Sequence, residues 1–88
     1  MSEPQFNPPL TVTLPAGGNS RGVAIIDGPR AGLAAMTQHG LGGYRMADDG
    51  WRRAFTALTR AVLHPTPDNL AAARSALEML DAREATRH

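Results

Sequence analysis

Three histidines, a pair of aspartates, two internal serines and a cluster of arginines are the residues of this 88-residue chain whose types and spacing could do chemistry. His39, His64 and His88 fall at the end of a helical pattern, before a proline and at the last residue. None lies four residues from another, the spacing that sets two imidazoles on one helix face to hold a metal. They read as surface or capping residues. Asp48 and Asp49 would point about 100° apart on a helix, which suits capping of a helix start and opposes a shared-proton pair or a metal clamp. Ser20 and Ser75 lack a neighbouring base and the strand-to-helix elbow of a serine nucleophile. The loop AGGNSRG is rich in glycine, yet it joins two strand patterns and lacks the Lys-Ser/Thr pair that opens a phosphate-binding helix. Cysteine is absent, which removes disulfides, thiolate nucleophiles and Cys-based zinc sites. The expectation is a non-enzymatic protein with no catalytic residue, no metal site and no cofactor.

Arginine is the remaining candidate. Arg52, Arg53 and Arg60 share one side of a helical pattern, where they could meet the phosphates of a nucleic acid or contact a partner. The formal net charge of +1 and a pI near 8.5 are too balanced for an electrostatic footprint on nucleic acid or anionic lipid. No recognition-helix motif or aromatic stacking platform accompanies the arginines. All nine basic residues are arginine and alanine is abundant, the mark of a GC-rich genome more than of a chosen arginine chemistry. Nucleic-acid binding or regulation through this face is therefore the alternative reading.

The elements that position these residues are legible in order. Residues 1–9 are polar and hold Pro4, Pro8 and Pro9, so a flexible N-terminal tail is expected, with Phe6 available to tuck against the domain. Leu10, Val12 and Leu14 alternate with Thr11 and Thr13, the period of a half-buried strand, and Pro15 ends it. Gly22–Ile26 (GVAII) reads as the second strand of a hairpin. Asp27-Gly28-Pro29 is a helix-start signal, and a short helix carrying Leu33 and Met36 should end near His39, with Gly40 suited to the C-terminal turn. GLGG then links to Tyr44. Trp51, Phe55, Leu58 and Val62 fall in one narrow sector at about 100° per residue, with Ala54 and Ala61 at its edge and the arginines opposite. This central helix should stop near Leu63, because Pro65 disfavours helical geometry at His64. Thr66-Pro67-Asp68 repeats the cap-then-proline signal, and Leu70, Ala73, Leu77 and Leu80 step through a third helix to about Glu84. The short link between the last two helices makes them antiparallel neighbours. The expected fold is α+β: a two-stranded antiparallel hairpin packed against three helices, in the order β-β-α-α-α. One domain would span residues 10–85, with 86–88 as a C-terminal tail. Its core anchors would be Tyr44, Trp51, Phe55, Leu58 and Leu77.

The same order of signals resembles a known family. The strand pair, GPRAGL, the glycine-rich link, Tyr44 with Ala47, Trp51, Ala54 and Phe55, and the Ala72–Leu77 run with its single arginine together resemble the small bacterial family called domain of unknown function 982. The resemblance covers nearly the whole chain. It implies a single hairpin-plus-helices domain and carries no established activity.

Composition bounds the rest. With 42% hydrophobic and 19% charged residues the chain is globular in type, and a chain this short buries only roughly 60–65% of its unfolded surface. No segment approaches the ~18 apolar residues of a membrane span, and the N-terminus lacks a basic region followed by an apolar run, so a cytoplasmic protein is expected. A lone hairpin is marginal and leaves open edges, and neither strand pattern holds an internal Pro, Lys or Glu to blunt them. A structural or protein-protein interaction module that self-associates as a homodimer is the expectation. The copies would pair through a strand edge or, in the competing geometry, through Met79 and the alanine-rich side of the third helix.

Overall fold

Strand signals before Asp27 and helix signals after it become a hairpin and three helices in the computed structural model, which describes residues 4–15, 21–40 and 49–86. Strand β1 (Leu10–Pro15) pairs antiparallel with β2 (Arg21–Ile26), and helices α1 (Pro29–Gly40), α2 (Asp49–Leu63) and α3 (Pro67–Thr86) follow. This is the α+β order expected. The register sets Leu10 opposite Ile26 and Val12 opposite Ala24 on one face, and Thr11 opposite Ile25 and Thr13 opposite Val23 on the other. All four residues of the first set are buried, because that face carries the helices: α3 packs on β1 and α1 on β2.

Helix α2 is held between α1 and α3. Its buried residues are Trp51, Ala54, Leu58 and Ala61, while Phe55 and Val62 are only half-buried. The stripe centred on Trp51, Phe55, Leu58 and Val62 is thus corrected by a rotation of roughly 50° toward the alanines, at 100° per residue. Contact with two helices explains the shift. An alanine seam lets neighbouring backbones approach closely, whereas a large side chain such as Phe55 is better placed at the margin, packed against the core. The approach of α1 is equally close. A Cβ on Gly32 would stand 2.8 Å from Ile26 Cγ2 and 3.0 Å from Leu58 Cδ2, so only glycine fits between strand and helix there.

Trp51, Leu58 and Leu77 are core residues as expected, joined by Met36, Ala73 and Leu80. The anchor role expected of Tyr44 falls outside the described residues. The antiparallel arrangement of α2 and α3 holds: the Arg83 guanidinium near the end of α3 lies over Gly50 at the start of α2. Between them the Thr66 hydroxyl accepts a hydrogen bond from the Asn69 N–H at 3.1 Å and caps α3, while Asn69 Nδ2 donates to the His64 carbonyl at 2.8 Å. Packing also begins earlier than Leu10. Phe6 is buried in the core, Arg74 Nη1 donates to the Pro8 carbonyl at 2.6 Å, and the Pro4 carbonyl lies against Gly28. Part of the segment read as a tail is therefore docked, because Phe6 supplies apolar area that a core this small can use.

Candidate interaction surface

The arginine face is the first candidate. Arg52, Arg53 and Arg60 are all exposed on the side of α2 opposite its buried stripe, where they flank Thr56 and Ala57. They are not equivalent. Arg52 Nη2 donates to Asp49 Oδ1 at 2.5 Å one turn earlier, a pair exposed on both sides and worth little in stability. That carboxylate offsets one of the three charges, and Asp49 also complements the positive end of α2.

The other residues read for chemistry stay apart. His64 is exposed just beyond α2, and Ser75 is exposed on α3. Ser20, Asp48 and His88 lie outside the described residues, as does the side chain of His39. Among the described residues no three His, Asp or Glu side chains converge on a point, and no helix is long and apolar enough to cross a membrane.

The second candidate is the hairpin's outer face. Val23 and Ile25 are 63% and 70% exposed, with exposed Thr11 opposite Ile25 and half-buried Thr13 opposite Val23, so the patch is bare chiefly on its β2 side. The strand β1 beside that patch is tied at its outer edge. Asp81 of α3 accepts a hydrogen bond at 2.8 Å from the Thr13 N–H. Sequence reasoning missed Asp81, which looked like one more polar residue on a helix. The available signal was the unpaired donor of an edge strand, which needs a partner when a helix packs beside it.

Comparison with known protein families, curated proteins and solved structures finds no match for this chain.

Proposed function

We propose that this chain is a non-enzymatic interaction module that acts as a homodimer, and that its likeness to the domain of unknown function 982 family reflects membership. The observation that carries the reading is the outward face of β2, where Val23 and Ile25 stand exposed beside a strand edge that no described side chain ties. Scattered surface apolar residues need no explanation, but two β-branched residues on one short strand with an open edge make a template for another strand. Light scattering at micromolar concentration tests it. The expected mass is twice the 9.3 kDa of the chain; a clean monomer sinks the proposal.

The exposure of Arg52, Arg53 and Arg60 together favours a second reading, nucleic-acid binding through α2. It requires affinity that falls steeply with salt and drops further in an Arg53→Ala/Arg60→Ala variant. The dimer reading expects neither in a mobility-shift series.

A further inference from the structure

The hairpin does not offer its two edges equally. In an antiparallel pair, directly opposed residues alternate between those that exchange both backbone hydrogen bonds and those whose N–H and C=O point outward. The Thr13 N–H leaves the ladder for Asp81, so Thr13–Val23 is an outward-pointing pair, and two residues along so is Thr11–Ile25. Val12–Ala24 is then the bonded pair between them. It follows that β1 turns Thr11 and Thr13 toward its edge, where α3 takes the Thr13 donor. On β2 the outward groups belong to Val23 and Ile25, and among the described residues no hydrogen bond from outside the hairpin reaches them.

We infer that a second copy of this chain pairs with β2, antiparallel about a two-fold axis at Ala24, to make a four-stranded sheet ordered β1-β2-β2-β1. The inference rests on the self-association proposed above and adds its edge and register. A two-fold at Ala24 sets Val23 opposite the second copy's Ile25, and Ile25 opposite its Val23. The outward groups of both residues then meet as bonded pairs, and their exposed side chains lie side by side on one face. Arg21 falls opposite the second copy's Asp27 at each end, so both rims carry opposite charges. A shift of two residues either way loses that match. No charged residue lies between them, so nothing repels in the middle. The β1 edge has no equivalent pairing, since Asp81 already occupies the Thr13 donor and sets a carboxylate beside the strand.

The experiment is a charge swap read by sedimentation or light scattering, with far-UV circular dichroism to verify folding. Val23→Glu faces a strand whose near neighbour is Asp27, and Ile25→Lys faces one whose near neighbour is Arg21. Each should weaken the dimer roughly tenfold or more. The double variant Val23→Glu/Ile25→Lys sets opposite charges across both strands in this register alone, and should return to within about threefold of the original. Amide exchange reads the same contact without mutation: the Val23 and Ile25 N–H groups should be protected at dimer concentrations and exchange faster on dilution. If the original chain is a dimer but single variants leave it intact, or those two amides stay unprotected, pairing through β2 is wrong and another surface joins the copies. A double variant no tighter than the weaker single overturns the register. A monomeric original chain overturns the self-association itself.

Discussion

Ile25 and Ile26 are the same residue at adjacent positions of one strand, yet one is 70% exposed and the other fully buried. The difference comes from the pleat, which sends successive side chains to opposite faces. Ile26 points at Gly32 and α1, and Ile25 stands on the outer face opposite Thr11, largely in solvent. What this teaches is that an apolar residue in a short strand has two possible employments. Inside it contributes to folding, and outside it is available to a partner.

Ile26→Ala should destabilise the domain by about 3–4 kcal/mol, since the side chain is wholly removed from water and a cavity would form beneath α1. That is a large part of the roughly 5–15 kcal/mol available to a small domain. Urea denaturation measures it, and a loss below about 1 kcal/mol would mean that the register shown here is wrong.

Gly32 tests the same face from the helix side. A methyl group there meets Ile26 at 2.8 Å and Leu58 at 3.0 Å, and both neighbours are buried, with little room to give. The better helix propensity of alanine, about 1 kcal/mol, offsets part of the strain. Gly32→Ala should therefore still lose about 1–2 kcal/mol, the low end of overpacking. A stabilised variant would show that α1 can move off the sheet.

These two sites show how far the residues alone could be read. The element order and most ends were legible because each end carries a local signal: Pro29 and Pro67 inside helix starts, Pro65 after α2, Thr66 as a cap. The inward residues Leu10 and Val12 of β1 were legible from period two, but GVAII is apolar on both faces, so nothing in β2 told Ile26 from Ile25. The rotation of α2 was not, because hydrophobicity ranks Phe55 above Ala54, and only the presence of helices on two sides makes the small residue the buried one. Phe6 was legible as a residue able to tuck against the domain, and it does, but the docking of Pro4 and Pro8 around it was not, since a proline-rich segment carries no period. The candidate surface was half legible: Arg52, Arg53 and Arg60 were expected outside, but the ion pair to Asp49 and the bond from Thr13 to Asp81 depend on side-chain reach. The latter joins residues 68 apart, beyond any local signal.

Asp81 is what makes the β1 edge differ from the β2 edge. Asp81→Ala should lose about 1–2 kcal/mol, the worth of a hydrogen bond to a charged acceptor reduced by its partial exposure. The Thr13 amide should exchange faster, with Val12 and Ala24 still protected by each other. An unchanged Thr13 exchange rate would show that the carboxylate is not what covers the β1 edge.

Ile25 gives the smallest effect on folding and the sharpest contrast with Ile26. In dilute solution, where any dimer has dissociated, Ile25→Ala should change stability by no more than about 0.5 kcal/mol, as expected of a largely exposed position outside the core. The same substitution should act differently as concentration rises. A protein that pairs only when folded gains stability by mass action, so the melting temperature of the original chain should climb with protein concentration. The Ile25→Ala variant loses cross-strand area on both sides of a two-fold contact, so its melting temperature should climb less over the same range. Parallel melts at several concentrations separate the two contributions, because a folding defect lowers every curve equally and a pairing defect lowers only the concentrated ones. Equal slopes would assign Ile25 no part in association, and a large loss in dilute solution would place it in the fold beside Ile26.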